Sequence, residues 1–193
     1  MIIGITGNFG SGKTTVAKAL GRWGYSVIDA DKIGHEILKK EAYAKVVNTF
    51  GKGILKNNKK INRKRLGKIV FNDNSKLKKL NKITHPIILK KINEKIKSLK
   101  NKKIIIEAAV LIEARWYKIC DKVIVVKISK ENQLKRAKNK EYAKAIIKSQ
   151  MPQAKKLKYA DFVIDNDASL RGLNSQLVKL TFALSSLARK QNI

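Results

Sequence analysis

The run Gly7-Asn8-Phe9-Gly10-Ser11-Gly12-Lys13-Thr14 has the residue types and spacing of a phosphate-binding loop. Gly7, Gly10 and Gly12 let the backbone fold back so that successive N–H groups point inward. Those groups, with the positive end of a following helix, form a cradle for polyphosphate. Lys13 is placed to reach the β- and γ-phosphates, and the Thr14 hydroxyl to ligate Mg²⁺. Asn8, Phe9, Gly10, Ser11, Gly12, Lys13, Thr14 and Thr15 form the expected nucleotide-binding set. The chemistry is binding of a nucleoside triphosphate, ATP or GTP, with Mg²⁺.

A second constellation is acidic. Ligands of open parallel sheets bind beyond the carboxyl ends of the strands, and four acids end strand candidates here: Asp29, Asp31, Glu107 and Asp165. In Asp29-Ala30-Asp31, side chains two apart in extended chain point the same way. One carboxylate could take a proton from an acceptor hydroxyl, and the other could bind the water shell of Mg²⁺. Asp29 is the magnesium candidate, directly or through water, unless it caps the helix that follows. Phosphoryl transfer needs positive charge at the transferring group more than covalent help. Arg136 is the best catalytic candidate for that charge beside Lys13, and Arg63 the best on the acceptor side.

These groups need a scaffold. Five strands are predicted: Ile2–Thr6, Tyr25–Ile28, Lys103–Ile106, Lys122–Ile128 and Phe162–Ile164. Helical stretches alternate with them, which argues for an α/β fold with a parallel sheet covered on both faces. The first helix is read as Gly12–Trp23 and the last as Leu170–Arg189. Between the second and third strands lie Lys32–Lys40, Glu41–Phe50, a loop Gly51–Asn62, Arg63–Phe71 and Lys76–Leu99. The last should break before Pro86, because the residue before proline avoids helical geometry. The chain reads as one domain over 1–193. Residues 1–31, 103–129 and 160–193 form its core, 32–102 a helical insertion and 130–159 a helical lid.

Composition narrows the partners. The formal net charge is +30, and from Lys52 to Lys103 only Asp73 and Glu94 oppose a long basic run. Lysine far outnumbers arginine and aromatics are sparse, so neither bidentate phosphate readout nor base stacking is indicated. No specific nucleic-acid partner is expected, although such charge attracts anions generally. A basic nucleic-acid-binding protein with a regulatory nucleotide site stays open as an alternative, as does a P-loop kinase of another small hydroxyl acceptor. No apolar run approaches the ~20 residues of a membrane-spanning helix, and no membrane partner is expected. Cys120, the single cysteine, excludes an intramolecular disulfide and a multi-cysteine zinc site, which fits a cytoplasmic location. A monomer is favoured.

The ordered set of motifs resembles the dephospho-coenzyme A kinase family, relatives of the nucleoside monophosphate kinases. It comprises Ile5-Thr6-Gly7 through Gly12-Lys13-Thr14, Val27-Ile28-Asp29-Ala30-Asp31, Arg63 with Leu66 and Val70-Phe71, and Ile83-Thr84-His85-Pro86. Glu107 with Leu111 and Glu113, Asp121 to Val126, Gln133-Leu134-Lys135-Arg136, Gln150-Met151-Pro152 and Ala160 to Asn166 complete it. The resemblance implies a P-loop kinase fold, a five-stranded parallel sheet flanked by helices, with an acceptor-binding insertion and a short lid. It implies transfer of the ATP γ-phosphate to the ribose 3′-hydroxyl of dephospho-coenzyme A. Asp31 matches the base, Arg136 a lid arginine, and Arg63, His85 and Glu113 fall in acceptor-binding positions. Two departures stand out. Ala109 replaces a proline, and the lid is short, with Lys140 where a second arginine is expected and Ile146 near another. Lysine supplies charge but no bidentate fork, so a weakened lid and modest turnover are expected.

Overall fold

A computed structural model describes residues 1–100, 103–167 and 169–190. The expected boundaries at residues 102 and 193 lie outside the described residues. Five strands, β1 (Ile2–Thr6), β2 (Ser26–Asp29), β3 (Ile104–Glu107), β4 (Lys122–Lys127) and β5 (Phe162–Asp165), form one sheet in the order β2-β3-β1-β4-β5. Every neighbouring pair is parallel. Nine helices are described: α1 (Lys13–Arg22), α2 (Ala30–Ile37), α3 (Tyr43–Phe50), α4 (Arg63–Phe71), α5 (Asn74–Ser98), α6 (Lys130–Lys135), α7 (Lys140–Ser149), α8 (Gln153–Leu157) and α9 (Leu170–Lys190).

The sheet sorts its side chains by the period-two rule of extended chain. Ile104, Ile106, Val123 and Val125 join one buried cluster with Ile33 and Ile37 of α2 and Ile88 and Ile92 of α5. Ile105, Ile124 and Val126 face the other way, into a cluster with Val16 and Leu20 of α1 and Leu173, Leu177 and Leu184 of α9. Both faces are therefore covered, and the short strands read as continuous apolar runs. At Gly4 in β1 an added Cβ would lie 2.5 Å from Leu111 and 2.9 Å from the Cys120 sulfur. The glycine there permits the chain beyond β3 to pack directly on the sheet. Burial pushes the Cys120 thiol up to about 12, so it behaves as a small core residue.

Two expectations are corrected. The helix does not break at Pro86: α5 runs unbroken from Asn74 to Ser98 with the proline inside it. An interior proline costs about 3 kcal/mol, but Ile88 and Ile92 are buried on the far side of it. Burying two such side chains recovers roughly 3–6 kcal/mol, so tertiary packing overrides local preference. The other correction concerns Asp29 and Asp31. They do not lie in extended chain with parallel side chains. Asp29 ends β2 and caps α2, accepting from the Lys32 N–H at 2.8 Å. Asp31 already sits in the first helical turn.

Candidate active site

The phosphate loop joins β1 to α1 through two left-handed glycines, Gly10 at φ +74° and Gly12 at φ +84°. L-residues rarely adopt that conformation. Gly12 is the N-cap of α1, and no side chain caps it. The N–H groups of a first helical turn lack intrahelical acceptors, so this end of α1 is left for an anion. Three contacts fix the loop from behind. Asn166 donates from Nδ2 to the Ser11 carbonyl at 2.7 Å, and Arg136 donates to the carbonyls of Asn166 at 3.0 Å and Gly10 at 3.3 Å. The residues opening α6 are tied in turn to Asp167, which accepts from the Ser129 N–H, the Ser129 hydroxyl and the Asn132 amide.

Acidic groups converge at the mouth of this loop. Glu107, at the end of β3, is buried and accepts from the Thr14 hydroxyl at 2.5 Å. Burial pushes its carboxyl up, opposed by the Thr14 hydrogen bond and Lys13, while Asp29 and Asp31 add to the rise. Asp31 lies 3.8 Å from the Lys13 ammonium. Its side chain is 45% exposed along the open face of the site, yet the surrounding walls strip enough water to raise its pKa. The Lys13 charge and a hydrogen bond from the Ala109 N–H pull the other way.

Asp31 and Lys13 also line a cavity of about 460 Å³. Its floor is the sheet end at Ala109 and Val110, one wall is α5 with Leu80, Thr84 and His85, and α7 roofs it with Tyr142 and Ile146. His85 meets Trp116 edge-to-face at 5.3 Å, and burial lowers its pKa, against the pull of Glu113. Tyr142 meets Phe71 of α4 edge-to-face at 5.8 Å, and its hydroxyl sits where a Cβ on Gly67 would stand. Helix α7 thus closes onto the insertion through a glycine notch.

The structure gathers most of the residues singled out from sequence. Lys13, Asp31, His85 and Glu113 share the cavity wall, while Thr14 and Glu107 meet just beside it. Arg136 belongs to the phosphate-loop side. Arg63 does not line the cavity; its charge adds to the burial that lowers the His35 pKa and opposes the burial that raises that of Tyr142. His35 is exposed and lies on the cavity rim. Asp165 is outside the site, paired with Lys127 at 2.7 Å. Lys140 opens α7 and Ile146 faces the cavity, so one expected arginine position has become part of an apolar roof.

Sequence reasoning gave no bracing part to Gln150, Met151 or Lys156. Gln150 accepts from the Phe9 N–H at 2.9 Å, and Asn8 donates to the Met151 carbonyl at 3.3 Å, clamping the end of α7 to the phosphate loop. Glu113 accepts from the Met151 N–H and pairs with Lys156, each at 3.0 Å. Gln150-Met151-Pro152 carried the signal for the first pair. Nothing in a lysine-rich chain marked Lys156.

A parallel sheet in this order, a phosphate loop after the first strand and an adjoining cavity with a carboxylate on its rim define a P-loop kinase. Shikimate kinase from Bacteroides thetaiotaomicron shares the fold, with a TM-score of 0.57 at 16% identity, covering 96% of this chain and 98% of that one. The model of the dephospho-CoA kinase family, CoaE, matches residues 1–172. The dephospho-CoA kinase of Carboxydothermus hydrogenoformans is 43% identical over 189 residues, covering 93% of this chain and 92% of that protein. The solved dephospho-CoA kinase of Campylobacter jejuni aligns with a TM-score of 0.68 at 36% identity, covering 100% of this chain and 98% of that one. The chain belongs to the dephospho-CoA kinase family and is an ATP-dependent kinase.

Proposed function

We propose that this chain phosphorylates the ribose 3′-hydroxyl of dephospho-coenzyme A with ATP, with Asp31 as the base and the 460 Å³ cavity as the acceptor site. The observation that carries the assignment of roles is the position of Asp31. It stands 3.8 Å from the phosphate-loop lysine and on the wall of the acceptor cavity at once. A hydroxyl seated there reaches the carboxylate while its oxygen faces the phosphate cradle, the positioning that phosphoryl transfer requires. A raised carboxylate pKa improves the match between base and hydroxyl. Lys13 holds the transferring phosphate, and Arg136 adds positive charge from the lid side. Phe71, Leu80 and Trp116 offer apolar surface for a base and linker, and Arg63 at the rim offers charge for the acceptor's pyrophosphate.

The residues present fit a magnesium ion. Thr14 and Glu107 already share a short hydrogen bond, with Asp29 and Asp31 close enough to raise the Glu107 pKa. Among the described residues no three His, Cys, Asp or Glu side chains form a metal cage. Mg²⁺ takes few protein ligands and keeps phosphates and water. Thr14 would hold it directly, Asp29 and Glu107 through water. When bound, it neutralises charge building on the β- and γ-phosphates. No described helix is long and apolar enough to cross a membrane.

A coupled ADP-release assay with Mg-ATP and dephospho-coenzyme A, AMP or adenosine tests the reading. Dephospho-coenzyme A should support turnover far above the other two. Absence of acceptor-dependent ADP with dephospho-coenzyme A would sink it.

A further inference from the structure

Lys156 is the largest fully buried side chain among the described residues, with no solvent exposure. Its ammonium makes two contacts. It donates to the Ala109 carbonyl at 2.5 Å and pairs with Glu113 Oε1 at 3.0 Å. Both partners belong to the acceptor site. Ala109 is the floor residue whose N–H favours the ionised Asp31 carboxylate, and the Thr6 hydroxyl also donates to its carbonyl at 3.3 Å. Glu113 lines the cavity, and its second oxygen is buried without a partner among the described residues.

We infer that Lys156 is a positioning residue for phosphoryl transfer: its buried ammonium fixes the Ala109 carbonyl and the Glu113 carboxylate, and so holds the acceptor floor against Asp31. The Ala109 carbonyl is gripped by Lys156 and Thr6, and its N–H stands on the Asp31 side, where it favours the ionised carboxylate. Freeing the carbonyl lets the residue turn and carries the N–H away from Asp31. Glu113, held on one oxygen by Lys156 and the Met151 N–H, is fixed in place in the cavity wall. Stability alone does not account for the arrangement, because apolar pairs of similar volume commonly replace buried ion pairs without loss. Burial depresses the Lys156 pKa while the Glu113 charge and hydrogen bond oppose that, so the ammonium depends on the carboxylate it positions.

This inference rests on the assignment of Asp31 as the base, and the test separates the two. Lys156→Met, Asp31→Asn and the charge-neutral pair Lys156→Met/Glu113→Gln are compared with the parent. Turnover is measured at saturating ATP and dephospho-coenzyme A. Affinity and stoichiometry for a non-hydrolysable ATP analogue come from calorimetry. Lys156→Met should lose at least tenfold in kcat, with analogue affinity and stoichiometry within twofold, since the phosphate cradle is untouched. The paired variant keeps the result readable if the single one folds poorly, and it should show the same loss. A kcat within twofold of the parent in either folded variant overturns the inference, as does a loss that only tracks a falling stoichiometry. If Asp31→Asn is impaired while Lys156→Met is not, only the role of Lys156 falls. Parental turnover in Asp31→Asn removes the base assignment and this inference with it.

Discussion

The proposed donor and acceptor halves of this site are built in opposite ways. The phosphate cradle is nearly continuous chain: β1, the loop and the first turn of α1 lie within residues 2–16, with Glu107 from the neighbouring strand. The acceptor cavity draws on residues from Phe9 to Gln150, including α2, α5, α7 and the segment after β3. Local backbone geometry shapes the first, through glycines at positive φ and an uncapped helix end, with Asn166 and Arg136 bracing it from behind. Tertiary packing makes the second, so its shape depends on braces remote from the reacting atoms. Changes to the donor half should strike catalysis with little effect on folding, whereas changes to the acceptor half should move acceptor binding first.

The largest break should come from Lys13→Ala. Loss of the charge aimed at the transferring phosphate should cut kcat by roughly 10²–10³-fold, with the thermal midpoint nearly unchanged. Near-normal turnover in a folded variant would remove its assigned role. On the other side, Tyr142→Ala opens the roof and the packing against Phe71. The KM for dephospho-coenzyme A should rise about tenfold, the scale of one lost aromatic contact, while the KM for ATP stays within twofold. An equal rise in both constants would contradict the separation of the halves.

A smaller effect sharpens the electrostatic picture. Asp31 and Glu107 are both held above the usual carboxylate range, chiefly by burial. Between the ordinary carboxylate pKa and the raised one, the folded state binds more protons than the unfolded state. Stability contributed by these groups therefore falls as pH rises through that window and stays reduced at neutral pH. Asp31→Asn should accordingly raise Tm at pH 7 by about 1–2 °C, the half-exposed carboxylate limiting the gain. At a pH below the ordinary carboxylate value the difference should vanish. A lower Tm at neutral pH would contradict the direction of the shift.

The same contrast governs what was legible in the sequence. The sheet, its flanking helices and the cradle followed from apolar periodicity and one glycine pattern. Asp31 was found because it follows a strand end, though the helix that orients it was expected to start only at Lys32 and in fact starts at Ala30, and Asp29 spends an oxygen capping that helix. Pro86 misled because local preference for a break is outweighed by burial of Ile88 and Ile92, which only the fold reveals. His85 and Glu113 came from the resemblance, not from spacing. Tyr142, Trp116 and Lys156 carried no local signal: their significance lies in a glycine notch, a ring contact and a buried carbonyl, each contributed by another segment. Lys156 shows the limit most sharply, for its neighbours in the sequence are solvated lysines of the same type.

The central claim is that one carboxylate joins two otherwise separable halves. Asp31→Asn tests it most directly, by steady-state turnover at saturating Mg-ATP and dephospho-coenzyme A beside calorimetric affinity for a non-hydrolysable ATP analogue. Loss of a base of this kind should lower kcat by about 10²–10⁴-fold, with analogue affinity within twofold of the parent. Turnover near the parental value, or a loss confined to nucleotide affinity, would contradict it.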